Sequence, residues 1–169
     1  ITESEKELQQ FLINKGYINA QVTHSVDTSK HKKATVTYTI HSNEPYRIRD
    51  YQMRLNDPVI DSIAHIKPRK RSWLSNAFHT STDDYTSLIL DSCLFDRDML
   101  DQERDRITKL LRYRGYYGFN KEYLTYLADS SFQKNVVDLE MFLKPYRKLL
   151  PDGNIQEMPH RPYYLNKIT

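Results

Sequence analysis

Six histidines are the first residues to ask for metal binding or proton transfer: His24, His31, His41, His65, His79 and His160. They are scattered, with no His-x-x-x-His pair and no His–carboxylate cluster at ligand spacing, so they read as strand or surface side chains. Two acidic pairs, Asp83-Asp84 and Asp96-x-Asp98, have the residue types of a general acid/base couple. Acids at a helix start explain them more simply, because the helix dipole favours negative charge there. No serine or threonine sits in Gly-x-Ser-x-Gly. The single cysteine, Cys93, excludes an intrachain disulfide framework and a cysteine-rich zinc site, and reads as a small, buried or half-buried side chain. Four scattered glycines leave no Gly-rich phosphate loop. No catalytic constellation emerges, so no enzymatic activity, metal or cofactor is expected.

Lys67-Pro68-Arg69-Lys70-Arg71 is the one concentrated charge, four cations in five residues. Lys67, Arg69, Lys70 and Arg71 could meet phosphate, on nucleic acid or on lipid headgroups. The plainer reading is a solvated loop. Lys and Arg total 25 against 22 Asp and Glu, a net charge of only +3, and no RNP-like or zinc-finger motif accompanies the patch. A basic nucleic-acid-binding α/β module using residues 67–71 stays as the alternative. Retention on heparin or DNA above about 0.2 M salt would favour it, since phosphate-dominated binding weakens steeply with salt.

The elements that position these residues follow from composition and pattern. A chain of 169 residues is enough for one ordinary domain or two small ones, and 38% hydrophobic with 28% charged residues predicts a thin core. Apolar runs stop at about three residues, far short of a bilayer span. The charged start, Ile1-Thr2-Glu3-Ser4-Glu5-Lys6-Glu7, lacks the apolar stretch of a signal peptide and an initiator Met, as expected of a mature or excised piece. Thirteen tyrosines favour strands and partly wet surfaces.

The chain repeats itself. Leu8-Gln9-Gln10-Phe11-Leu12-Ile13-Asn14-Lys15-Gly16-Tyr17 aligns with Ile107-Thr108-Lys109-Leu110-Leu111-Arg112-Tyr113-Arg114-Gly115-Tyr116. Each has apolar residues at helical spacing and a cation before Gly-Tyr, the pattern of an amphipathic helix stopped by a C′ glycine. Ser4-Glu5-Lys6-Glu7 has a capping-box pattern, and Asp96 and Asp98 open the second, longer helix, whose stripe is Leu100, Ile107, Leu110 and Leu111. After each Gly-Tyr come two strand candidates joined by a seven-residue loop that opens with Asp. In the first copy Ala20, Val22 and Val26 share a parity, and Ala34 to Ile40 alternates strictly, predicting four inward apolar residues and three outward threonines. In the second, Tyr123 to Ala128 precedes the loop Asp129–Asn135, and Val137, Leu139, Met141 and Leu143 share a parity.

Pro45-Tyr46-Arg47 matches Pro145-Tyr146-Arg147, and Pro162-Tyr163-Tyr164 loosely echoes it again. Between the copies, Tyr46 to Leu55 reads as a further strand whose apolar parity shifts near Asp50, predicting a bulge or an edge position. Asp57-Pro58 is a helix N-cap and first position, with Ile60, Ile63 and Ala64 on one face. A second short helix is expected around Tyr85 to Leu90, and residues 67–82 read as a long loop pinned by Trp73, Leu74 and Phe78.

A unit ordered strand, helix, helix, strand, strand, with Gly-Tyr closing the second helix, resembles the POTRA domain of the BamA/TamA family of outer-membrane β-barrel proteins (the surface-antigen family). Leu94 to Asp101, Arg106 to Leu111, Arg114-Gly115-Tyr116-Tyr117, and Gly16-Tyr17 with Ala20 to Ile40 carry the resemblance. Phe119-Asn120-Lys121-Glu122-Tyr123 is most similar to members from Bacteroidetes. The resemblance implies an α+β fold of tandem β-α-α-β-β units, each a three-stranded mixed sheet packed on two helices. Residues 1–44 are then the C-terminal half of one unit and 45–144 a complete unit with a long insertion at about 56–95. Residues 145–169 are a linker and the first strand of a third unit.

The resemblance also implies a place on the periplasmic side of the bacterial outer membrane. The implied partners are unfolded outer-membrane or secreted proteins, a membrane β-barrel absent from this chain, and accessory periplasmic proteins. A membrane surface is a further possible partner, and nucleic acid is not implied. An exposed strand offers unpaired backbone groups to an extended client, which adds as another strand with little regard to sequence. By the resemblance that edge is the strand after the second helix: Glu122, Tyr123, Leu124, Thr125, Tyr126, Leu127 and Ala128 here, and Ala20 to Val26 in the first copy. Tyr123, Leu124, Tyr126 and Leu127 would flank the groove, or else pack the core. Within the family a two-partner secretion or surface-antigen transporter with one specific client is the variant reading.

Overall fold

The structure, a computed structural model, describes residues 1–29, 33–65, 86–164 and 166. The basic patch at Lys67, Arg69, Lys70 and Arg71, and the anchors Trp73, Leu74 and Phe78, lie outside the described residues.

The chain opens with α1 (Thr2–Asn14) and the antiparallel hairpin β1 (Gln21–Asp27) and β2 (Thr35–His41). There follow β3 (Arg47–Arg54), α2 (Pro58–Ala64), α3 (Arg97–Tyr113), β4 (Leu124–Asp129) and β5 (Val136–Leu143). These five make a strand–helix–helix–strand–strand unit whose sheet is ordered β3-β5-β4, with β3 parallel and β4 antiparallel to the central β5. The fold is the α+β arrangement that the resemblance implies: a three-stranded mixed sheet on two helices.

The two long helices close in the same way. Gly16 and Gly115 both adopt positive φ, +93° and +97°. Tyr17 N–H donates to Leu12 C=O and Gly16 N–H to Ile13 C=O; Tyr116 and Gly115 repeat this on Leu111 and Arg112. Both ends are Schellman motifs, in which the glycine alone turns left-handed without a Cβ penalty. The starts differ. Asp96 caps α3, its Oδ1 accepting from the amides of Asp98 (2.9 Å) and Met99 (3.4 Å). Asp57 caps α2 through the amides of Val59 and Ile60, with Pro58 first in the helix. The capping box expected at Ser4 is not used: α1 begins at Thr2 after Ile1, without a side-chain cap, so Ser4 lies inside the helix.

The core belongs to the complete unit. Leu55, Ile60, Ile63, Ala64, Ile107, Leu110, Leu111, Phe119, Leu124 and Met141 form one cluster, and Ile48, Ile89, Leu100 and Leu139 a second. The bulge expected near Asp50 is present: the β3–β5 register shifts between Ile48 and Asp50. Residues 86–90 form no helix; Ile89 is instead buried as part of an irregular segment. Ser87 Oγ receives the Ile89 amide, a local bond that competes with helical hydrogen bonding.

The first copy is less covered. Ala20 and Val22 are buried, but Val26 is exposed, Ile40 is 48% exposed, and α1 has no buried residue. The strict alternation of β2 therefore faces inward onto little. The described residues give this hairpin one helix and no counterpart of β3 or α2.

Within the stretch expected as a linker and first strand, residues 146–158 carry structure of their own. They form a separate hairpin, β6 (Tyr146–Leu149) and β7 (Ile155–Met158), turning at Gly153. The counterpart of Tyr46 in the second copy is then Tyr163. Tyr46 N–H donates to Gly16 C=O and Tyr163 N–H to Gly115 C=O, both at 2.8 Å.

Candidate functional site

β4 is an edge strand, and the ladder sets which of its backbone groups are free. Tyr123 C=O accepts from Lys144 N–H at 2.7 Å. By the alternation of an antiparallel pair, Thr125, Leu127 and Asp129 turn their backbone groups toward β5. Leu124, Tyr126 and Ala128 turn theirs away. Arg104 on α3 confirms the phase, its Nη1 donating to Leu124 C=O at 3.4 Å. The free stretch of the edge is thus Tyr126 to Ala128.

The side chains of the candidate edge divide differently from the backbone. Glu122 and Tyr123 lie in a 3-10 turn (Lys121–Tyr123) before the strand, formed because Asn120 caps the amide of Glu122. Tyr123 packs with Phe119 and His160 at ring-centre distances of 5.5 and 4.6 Å. Leu124 is fully buried, and Tyr126 leans on Tyr51 while its hydroxyl donates to Leu100 C=O at 3.0 Å. Thr125 is half-buried, and Ala128 is exposed. Of the four side chains expected to flank the groove, only Leu127, 57% exposed, remains open. Leu124 and Tyr126 pack inward because the pleat points alternate residues at α3, whereas Tyr123 is held against Phe119 and His160 by the turn before the strand. Burial drives the Tyr126 hydroxyl far above the usual phenol range, with the neighbouring Tyr51 next in effect, so it stays a neutral donor.

A row of charges rims the start of this edge. Arg104 pairs with Asp101 at 2.5 Å and lies 3.7 Å from Glu122, and Lys121 Nζ contacts Asp101 (2.7 Å) and Asp105 (3.2 Å). The Lys121 hydrogen bond holds the Asp101 carboxyl below the ordinary carboxylate range against a burial effect that raises it, and Arg104 adds to the lowering. Arg104 was not among the candidate residues, although the Asp101-x-x-Arg104 spacing on a helix is a legible pair.

The opposite edge is partly closed. Ile48 N–H donates to Cys93 C=O and Ser92 N–H to Ile48 C=O, so residues 92–95 lie along the start of β3. Inside the unit, Glu103 takes both Nε and Nη2 of Arg106 at 2.8 and 2.7 Å and the Leu88 amide at 3.0 Å. That buried bidentate pair pins residues 87–90 to α3. Among the described residues no group of His, Cys, Asp and Glu could hold a metal ion.

Where the two copies meet, Lys15 Nζ reaches Asp96 Oδ2 (2.9 Å) and Asp98 Oδ2 (2.8 Å). An open polar cleft of about 540 Å³ lies beside this joint, lined by Asn19, Gln21, Asn43, Glu44, Lys134 and Asn135. Asn43 bridges it to Asn19 C=O, and Asn135 to Glu44.

The POTRA family, described as surface antigen variable number repeat, matches residues 1–43. No curated protein matches the chain. Among solved structures it is similar to BamA from Haemophilus ducreyi lacking POTRA domains 1–3, at 12% identity and a TM-score of 0.45, over 86% of this chain and 23% of that one. It is also similar to POTRA domains 3–5 of BamA from Haemophilus influenzae, at 14% identity and a TM-score of 0.42, over 85% of this chain and 49% of that one. The chain thus spans less than half the length of either. The matched segment ends its helix on the same Schellman glycine, followed by the same antiparallel strand pair, as the complete unit at residues 47–143. The family model thus matches the first copy, residues 1–43, and a full β-α-α-β-β unit follows it at residues 47–143.

Proposed function

We propose that this chain is the periplasmic part of an outer-membrane protein assembly or translocation factor, and that it holds extended β-barrel precursors by adding them to β4. The observation that carries this reading is the edge itself. Tyr126 and Ala128 present backbone donors and acceptors outward from a rigid sheet, beside exposed Leu127. Main-chain pairing is tolerant of sequence, which suits a handler of many clients. Arg104 already occupies the outward carbonyl of Leu124, so an added strand would begin beyond it. The family of residues 1–43 supports the setting, since POTRA repeats belong to surface antigens. No bond is made or broken in this scheme.

The test is an NMR titration of labelled protein with peptides from the C-terminal strands of outer-membrane barrel proteins. Amide shifts are expected to concentrate at residues 124–129. Ala128→Pro removes an outward N–H and leaves the β4–β5 ladder intact, a position where an edge strand tolerates proline. It is expected to keep the fold and abolish those shifts. Shifts confined to residues 67–71, or none at about millimolar peptide, would refute strand addition.

A further inference from the structure

The joint between successive units is built twice in this chain, once completely and once in part. In the complete joint, Gly16 C=O accepts from Tyr46 N–H (2.8 Å), and Tyr46 C=O accepts from Phe95 N–H (2.9 Å). This seats the segment leading into α3 directly on Gly16, where an added Cβ would lie 3.1 Å from Phe95 O. Lys15, the residue that caps the helix end, then closes on the two carboxylates that open α3, Asp96 and Asp98.

The partial joint repeats the backbone half. Gly115 C=O accepts from Tyr163 N–H at 2.8 Å, and Pro162 precedes Tyr163 as Pro45 precedes Tyr46. A Cβ at Gly115 would lie 3.0 Å from Tyr163 O. Arg114 holds the position of Lys15, exposed and in no ion pair among the described residues. Around it Tyr113 (86%) and Tyr164 (85%) are exposed, as is Tyr117. The cation and exposed aromatic side chains thus stand beside Gly115 as Lys15 stands beside Gly16.

We propose that Arg114, Gly115 and the tyrosines beside them form a docking seat for the acidic N-terminus of a helix in a further unit of this kind. Arg114 takes the N-cap carboxylate there as Lys15 takes Asp96 and Asp98. The occupant is specified by charge and by register. The Tyr163 N–H bond to Gly115 C=O sets the register for a unit placed after it, as the Tyr46 bond does at Gly16, and a helix opened by Asp-x-Asp would then meet a guanidinium suited to bidentate carboxylate pairing. The inference rests on the internal repeat and is independent of client binding at β4.

The experiment extends the whole chain, residues 1–169, directly with a second copy of residues 53–144. In sequence, residues 163–169 then align with residues 46–52. Residual dipolar couplings are expected to give the 45–144 unit and the appended unit one common alignment. Arg114→Glu is expected to split that alignment while leaving the amide shifts of residues 46–143 in place. Lysines at the appended counterparts of Asp96 and Asp98 should restore it. An appended unit that does not fold would overturn the register of residues 163–169, and couplings unchanged by Arg114→Glu would overturn the role of Arg114.

Discussion

At the residue scale, two glycines and one buried acid carry constraints that no neighbour can share. Gly115 combines a φ of +97° with a Cβ position 3.0 Å from a backbone oxygen of the next segment. Gly153 has a comparable φ of +84° in open space. Gly115→Ala is therefore expected to cost more than Gly153→Ala, about 1–3 kcal/mol against about 1 kcal/mol by urea unfolding. The difference reports the steric part alone. Among the described residues Glu103 is the carboxylate that pairs with the bidentate fork of Arg106, and both are buried. Glu103→Ala leaves that guanidinium uncompensated and should cost about 3–5 kcal/mol. It should also free residues 87–90, visible as lost protection at the Leu88 amide.

At the element scale, α1 and α3 end alike but are stabilised unequally. α3 buries seven residues against the sheet, whereas α1 buries none. Most helical stability in a protein comes from packing an apolar face, so a poorly covered helix opens first. Native-state hydrogen exchange should therefore rank α1, β1 and β2 well below α3, β4 and β5. Equal protection across both copies would contradict that ranking. The helix stops were legible because Gly-Tyr after a cation encodes a backbone motif. The start of α1 was not, since a capping box is only one of the ways to begin a helix and nothing here forces it at Ser4.

At the scale of the whole molecule, the Lys15–Asp96–Asp98 contact couples the copies electrostatically. Burial raises the Asp96 carboxyl, but the Lys15 ammonium and the amides of Asp98 and Met99 outweigh it, leaving a net lowering below 3.8. Hydrogen bonds to Asp98 and then Asp96 hold Lys15 above 10.5. The Asp96 contribution is thus complete above pH 3.8 and is lost as pH falls through the lowered folded value; that of Lys15 is complete below pH 10.5 and is lost as pH rises beyond it. The common alignment of the two copies should persist at neutral pH and loosen as pH falls below 3.8 and in high salt, because the pair is partly exposed. Lys15→Met should show the loosened state at every pH. A pH-independent alignment in the unaltered chain would refute the coupling.

The repeat, both helix stops, the caps at Asp57 and Asp96 and the strand parities of the complete unit were all written in the sequence. Each depends on contacts within about one turn or one strand, where residue type and spacing suffice. The tertiary structure decided what depends on partners distant in sequence. It turned Tyr123, Leu124 and Tyr126 inward and left the backbone of Tyr126 to Ala128 as the open edge. It moved the counterpart of Pro45-Tyr46 from Pro145 to Pro162 by interposing a hairpin, and it brought Lys15 onto an acidic helix start 81 residues away. A local pattern states which face of an element is apolar; only the packed fold determines whether a partner covers it.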